Sequence, residues 1–217
     1  GGKDSVFQAH ILKSKYKMNP LTVTFAPILY TDVGMKNFHN WPEKGGVNNF
    51  LYSPSGKVYG KLTRLAFERM LHPFQPFIFG QRHIASHLAL RLNIPLIFNG
   101  EPFSEYGSEN KNEDEDYRMP YKYYTKQKDQ EILISGTTIK ELEQDHNLNI
   151  SDLEYFLPLQ EDVLKEKDIQ VIFLGFFEKM NPQENFYKAS EISGFKTSPE
   201  RTEGTYSKYN SLDDKVD

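Results

Sequence analysis

Apolar positions along the chain alternate between two spacings. Helical spacing comes first: Phe7 and Ile11 lie four apart with Val6, Ala9 and Leu12 beside them, Lys13, Lys15 and Lys17 load the last turn, and Asn19-Pro20 closes the segment. Residues 3–17 therefore read as a helix. LTVTFAPILY, residues 21–30, is short and rich in apolar, β-branched and aromatic residues, as a buried strand is. TDVGMKNFHNW then turns into a short helix capped by Thr31 or Asp32, and NNFLYSP, residues 48–54, is a strand ending at Pro54.

The alternation continues. Leu62, Leu65, Ala66 and Arg69 define a helix over 61–71, Ala85, Leu88, Ala89 and Leu92 another over 80–92, and IPLIFNG, residues 94–100, a compact strand ending in glycine. Residues 101–130 lose this periodicity, acidic at first and then rich in Tyr and Lys, and read as an insertion on the rim of the strand ends. Thr138 with Glu141 forms a capping box ahead of Leu142, SDLEYFLP at 151–158 is a short helical piece, and IQVIFLGFF at 169–177 is a strand. From Lys179 onward the polar composition reads as loop followed by the start of a truncated element.

Apolar strands separated by helices predict an α/β fold, a parallel sheet with flanking helices, in one domain over residues 1–217. Such sheets bind ligands beyond the carboxyl ends of their strands. That directs attention to Gly1 through Ser5, Thr31 through Lys36, Asn99 through Gly107, and the stretch after Phe177. The chain opens without methionine and stops in SLDDKVD, which reads as truncation at both ends, with the strand that would lead into Gly1 missing.

Composition narrows the chemistry. Lys and Arg number 26 against 30 Asp and Glu, a net charge of -4, without the positive field that tracks a nucleic-acid backbone. No apolar run is long enough to cross a membrane and no secretory signal opens the chain, so the cytoplasm is the expected compartment. Cysteine is absent, which removes disulfides, thiolate zinc sites and cysteine nucleophiles. The histidines form no metal signature; His83 and His87, four apart on a helix, could pair on a metal, but packing or surface roles are expected.

Gly1, Gly2, Lys3, Asp4 and Ser5 open a helix, where backbone N–H groups converge on an anion at the positive end of the helix dipole. Lys3 adds a charge and Ser5 a hydroxyl. Asp4 is either a ligand for Mg²⁺ or an ordinary first-turn carboxylate. Glu101 and Glu105 lie one helical turn apart after a strand, placed to share a magnesium ion, or else belong to a solvated acidic loop with Glu109, Glu113, Asp114, Glu115 and Asp116. Arg201, Glu203, Thr205 and Lys208 surround Gly204 and form a second phosphate clamp or a surface tail, with Lys208 placed to stabilise departing negative charge. Tyr121, Tyr123 and Tyr124 beside Lys122 either stack on a sugar or base or serve as a rim.

The opening run is not the Walker loop. It resembles the SGGxDS pyrophosphate loop of ATP pyrophosphatases, lacking its first serine. YTDVGMKNFHNW, KLTRLAFE, HPFQPFIFGQ, IPLIFNGEP and RTEGTYSKYNSLDDK extend the resemblance over nearly the whole chain to the N-acetyl sugar amidotransferase family, which acts in lipopolysaccharide O-antigen and related surface-glycan synthesis. The resemblance implies a Rossmann-like sheet of the PP-loop type and an ATP-dependent conversion of a sugar acetamido group to an acetamidino group. The amide oxygen would attack the α-phosphate of ATP, pyrophosphate would leave, and ammonia would displace AMP. Gly1, Gly2, Lys3, Asp4 and Ser5 would hold the pyrophosphate, Asp32 and Gly34 the adenosine, Asp4, Glu101 and Glu105 the Mg²⁺, with Asp4, Glu101 and Lys208 acting in catalysis. Ammonia would come from a glutaminase of the imidazole glycerol phosphate synthase type with its cyclase-like partner. A PP-loop tRNA-modifying enzyme and a nucleotide-binding module without catalysis are the alternative readings.

Overall fold

Helix α1 (Lys3–Ser14) leads into β1 (Leu21–Phe25), and α2 (Asp32–Gly45) carries the chain to β2 (Asn48–Tyr52), which runs parallel to β1 with Leu21 opposite Asn48 and Phe25 opposite Tyr52. The computed structural model describes residues 2–100, 117–201 and 204–216. Two helices follow, α3 (Gly56–Met70) and α4 (Gln75–Leu92), then β3 (Leu96–Phe98). The fold is mixed α/β with small parallel sheets and, among the described residues, no barrel.

Short elements complete it. β4 (Thr125–Lys126) lies against β7 (Leu159–Gln160), and β5 (Leu133–Ile134) and β6 (Thr137–Thr138) form a hairpin through Ser135 and Gly136, both at positive φ as a two-residue hairpin loop requires. α5 (Ile139–Gln144), α6 (Ile150–Leu153) and α7 (Glu161–Glu166) precede β8 (Gln170–Ile172), which pairs parallel with β3, and α8 (Pro182–Ser193) follows.

Three apolar clusters hold these pieces. Val23 and Phe25 of β1 pack with Leu62 and Leu65 of α3, Ile84 and Leu88 of α4, and Phe156. Ala89, one residue beyond Leu88, packs with Met119, Tyr124, Val171 and Phe173. α4 thus supports the β1–β2 and β3–β8 pairs, which share no backbone hydrogen bond with each other among the described residues. Val6 and Ala9 of α1 join Trp41 of α2, Ala189 of α8, Phe195 and Leu212 in the third cluster.

Several segments depart from the sequence reading. The strand expected over 169–177 stops at Ile172, because Leu174–Phe176 turns into a 3-10 helix that Phe177 closes through Leu174 O at 2.9 Å. The expected loop after Lys179 contains α8, capped by Asn181, whose side-chain oxygen accepts from Gln183 and Glu184 N–H at 3.0 and 3.3 Å. The described end of the expected insertion is core: Met119 and Tyr124 are buried, which removes Tyr124 from ligand stacking. Thr138 does cap α5, accepting from Glu141 N–H at 3.2 Å, but the Glu141 carboxylate pairs with Arg69 instead of closing the box.

His83 and His87 pack, as expected. Each ring meets a backbone carbonyl, His83 Nδ1 with Phe156 O at 2.8 Å and His87 Nε2 with Leu157 O at 2.9 Å. Among the described residues no group of three or more His, Asp and Glu gathers as a metal site. Burial lowers both histidines, His83 from its ordinary 6.5 to about 4. Between those values the unfolded chain binds a proton that the folded chain refuses, so this contribution to stability is full above about pH 6.5 and is lost as pH falls toward 4. Unfolding free energy measured in urea should drop by about 2 kcal/mol from about pH 7.5 to about pH 5, and His83→Gln should flatten that slope. An unchanged slope in the variant would assign the acid sensitivity to other groups.

Candidate functional site

Gly2 caps α1 with extended backbone (φ -69°, ψ 177°) and no side chain, and nothing lies within 4 Å of where a Cβ would stand. The N–H groups of Lys3, Asp4 and Ser5 consequently make no hydrogen bond among the described residues, while Val6 N–H closes the first turn on Gly2 O at 3.2 Å. This end of α1 sits at the exit of β3. Gln8 Nε2 donates to Gly100 O at 2.8 Å, and a Cβ at Gly100 would lie 2.4 Å from Ser5 Oγ, so a side chain there would turn the Ser5 hydroxyl aside.

Lys3 and Asp4 face inward. Lys3 Nζ lies 2.5 Å from Asp4 Oδ2 and 5.0 Å from the centroid of the Tyr209 ring, which itself stacks on Phe186. Asn185 Nδ2 donates to Asp4 Oδ1 at 2.7 Å. Both Asp4 oxygens are therefore engaged by groups of the protein, and the carboxylate expected to hold Mg²⁺ ties α1 to α8. Two buried acceptors beside this knot, Gln8 Oε1 and Asn185 Oδ1, have no partner among the described residues.

At the exit of β1, Thr31 rather than Asp32 caps α2: its Oγ1 accepts from Gly34 N–H at 2.8 Å and its hydroxyl donates to Leu212 O. Asp32 is exposed in the first turn. Gly34 is buried, and the close approach it permits is made by the chain itself, since a Cβ there would stand 2.7 Å from Asp213 Cα and 2.9 Å from its carbonyl oxygen. Asp214, 5% exposed, accepts from Ile28 N–H, from Leu29 N–H at 3.3 Å and from Val216 N–H at 2.8 Å, while Lys215 N–H donates to Leu29 O at 2.8 Å. Asp213 and Asp214, which carry no role in the sequence reading, thus bind the loop after β1. A pair of acids in a polar run has no periodicity to reveal this. Burial, with Asp213 and Asp214 nearby, pushes the Tyr30 phenol up to about 12.

Ser198 and Pro199 pair with Lys208. Lys208 Nζ donates to Pro199 O at 2.6 Å and Lys208 O accepts from Ser198 N–H at 2.9 Å, so the ammonium expected on a leaving group serves a local turn, and Arg201 is exposed. Thr205 Oγ1 donates to Ser207 O at 3.0 Å. The structure brings Gly2, Lys3, Asp4 and Ser5 together with Gly100, Asn185 and Tyr209, and Thr31, Asp32 and Gly34 together with Leu212 through Asp214. Val6, Val33 and Leu212 share one apolar cluster, which joins the two groups. Gly1, Glu101, Glu105 and Glu203 lie outside the described residues.

No protein-family model and no curated protein matches the chain.

Two helix starts beside the exits of parallel strands, one of them uncapped, form a place where an anion meets bare N–H groups and the positive ends of dipoles. The inward ion pair sets a stability test. Asp4→Ala strands the Lys3 ammonium in the interior and should lower unfolding free energy by about 3 kcal/mol, with Asn185→Ala costing about 1–2 kcal/mol, both read from urea denaturation. Wild-type stability in both variants would show that the knot is not holding α1 to α8. Gly34→Ala should expel residues 212–214, seen as faster amide exchange at Ile28 and Leu29; unchanged protection there would refute the clamp.

Proposed function

We propose that this chain is an ATP-dependent, AMP-forming amidotransferase that converts the acetamido group of a nucleotide-linked N-acetyl sugar to an acetamidino group, in the cytoplasm, for surface-polysaccharide synthesis. The observation that carries the reading is the start of α1: Gly2 without a side-chain cap bond, open space beside it, and N–H groups on Lys3, Asp4 and Ser5 that have no partner among the described residues, next to the exit of β3. These groups fit a phosphate. Asp32, exposed at the neighbouring helix start, would meet the nucleoside. The finer fold reading is a Rossmann-like PP-loop sheet in which a strand running into Gly2 joins the β1–β2 and β3–β8 pairs.

The chemistry asks little of side chains. An amide oxygen attacking the α-phosphorus expels pyrophosphate, and ammonia then displaces AMP, so positioning and neutralisation of the phosphates supply the rate. Backbone N–H groups at α1 do this without reorganising. Mg²⁺ would enter with ATP, and since both Asp4 oxygens are engaged within the protein, Glu101 and Glu105 are the ligands left to hold it. Ammonia would be delivered by a separate glutaminase of the imidazole glycerol phosphate synthase type with its cyclase-like partner, since the chain has no cysteine for a Cys-His glutaminase. Net acidity favours this substrate over tRNA. One observation favours a nucleotide-binding module without catalysis: the engagement of Asp4 within the protein.

The deciding assay combines Mg²⁺-ATP, ammonium and a panel of UDP- and CMP-linked N-acetyl sugars, following AMP together with the mass of the sugar. AMP equal to sugar converted, with NH in place of oxygen, is expected. Gly2→Asp, which supplies a cap and a negative charge at the same spot, should cut AMP formation by at least about tenfold while leaving the melting temperature unchanged or raised. Nucleotide binding without AMP from any sugar would establish the non-catalytic reading, and full activity in Gly2→Asp would remove α1 from the site.

A further inference from the structure

A second concavity lies on the other side of α4's first cluster, independent of the α1 site. Phe79, Arg82 and His83 of α4, Lys122 and Tyr123 of the 3-10 turn before β4, and Glu131 before β5 line a cavity of about 340 Å³. Its walls are open and mixed, with charged Arg82, Lys122 and Glu131, polar Thr125 and Gln130, the rings of Phe79 and Tyr123 and the His83 imidazole.

His83 gives the cavity its direction. The side chain is almost wholly buried, and Nδ1 meets the Phe156 carbonyl at 2.8 Å. A carbonyl only accepts, so Nδ1 carries the proton and Nε2 keeps its lone pair. That nitrogen has no protein partner among the described residues, yet it is not among the unpartnered atoms sealed from solvent. An acceptor on a buried ring therefore opens into the cavity. Because burial keeps the ring neutral at physiological pH, it cannot serve as a cation for the ligand.

Charge supplies the second requirement. Arg82 is exposed and has no ion-pair or hydrogen-bond partner among the described residues, and its planar fork suits a phosphate. Lys122, whose ammonium lies 5.0 Å from the Tyr123 ring centroid, also lines the cavity, as does Glu131. The Phe79 ring stands edge-on to His83 at 5.6 Å, and Tyr123 offers a ring to a flat base or to the C–H face of a sugar.

We propose that this cavity binds a small phosphorylated ligand carrying an N–H or O–H donor, a nucleotide or a sugar phosphate, with Arg82 on the phosphate and His83 Nε2 accepting from the donor. The acceptor and the cation select together: a bare anion lacks the donor, and a neutral nucleoside or sugar lacks the phosphate.

Calorimetric titration of the chain with UMP, glucose 1-phosphate, uridine, glucose and inorganic phosphate tests this. One of the two phosphorylated compounds should bind with one-to-one stoichiometry, and which one does assigns the ligand to nucleotides or to sugar phosphates. Arg82→Ala, at an exposed position, should weaken that binding about tenfold, whereas Arg64→Ala on α3 should leave it unchanged. His83→Asn keeps an amide N–H for the Phe156 carbonyl but removes the Nε2 acceptor, and should reduce the affinity to that of inorganic phosphate. The proposal is overturned if neither compound binds at millimolar concentration, if inorganic phosphate binds as tightly as either, or if Arg82→Ala binds like the wild type.

Discussion

The arrangement of the β1–β2 and β3–β8 pairs rests on one helix. A two-stranded sheet of three to five residues is not stable alone in water, because it buries too little on either face. α4 supplies the missing surface to both, with Ile84 and Leu88 under β1 and Ala89 under β3 and β8. It also anchors the segment between α6 and β7, since His83 and His87 take up the carbonyls of Phe156 and Leu157 that would otherwise lie buried and unsatisfied. The spacing of strand exits, and so the placing of the start of α1 against Gly100, follows from this one element.

At the candidate nucleotide site the division of labour between backbone and side chains is the reverse of what residue types suggest. Lys3 and Asp4 look like a cation and a metal ligand, yet they neutralise each other within the protein and bind Asn185 and Tyr209. What remains for a ligand is the row of N–H groups on α1 and the open space at Gly2. A buried ion pair contributes little net stability compared with an apolar pair of similar volume, but it punishes any rearrangement that separates its members. Its effect is to hold the first turn of α1 in one orientation.

The elements legible in the sequence are those whose side chains repeat at a single period. α1, β1, α3, α4 and β3 emerge from Phe7 and Ile11, the LTVTF run, Leu62 and Leu65, Leu88 and Ala89, and the PLIF run, although α3 and α4 begin several residues before their apolar stripes. α8 was hidden because Asn185 and Ser193, both buried, occupy its inner face beside Ala189 and break the stripe. The run at 169–177 misled for the opposite reason: it is apolar throughout, while Leu174–Phe176 leaves the sheet. Gly2 through Ser5 were legible as a helix start, but the direction taken by Lys3 and Asp4 depends on Asn185 and Tyr209, far away in sequence. Asp214 acts through backbone groups of Ile28 and Leu29, which carry no side-chain signature at all.

That last contact spans 186 residues between Ile28 and Asp214. Contacts of such separation close late, because a long loop must be ordered before they reward it. During synthesis the loop after β1 leaves the ribosome well before its acceptor is made, and at roughly 5–20 residues per second the interval lasts on the order of ten seconds or more. Throughout that time Ile28 and Leu29 must present their N–H groups to water or to a chaperone. The start of α2 is therefore seated from the two ends of this stretch: until Leu212 through Asp214 are made, Thr31, Ile28 and Leu29 lack the partners that fix them.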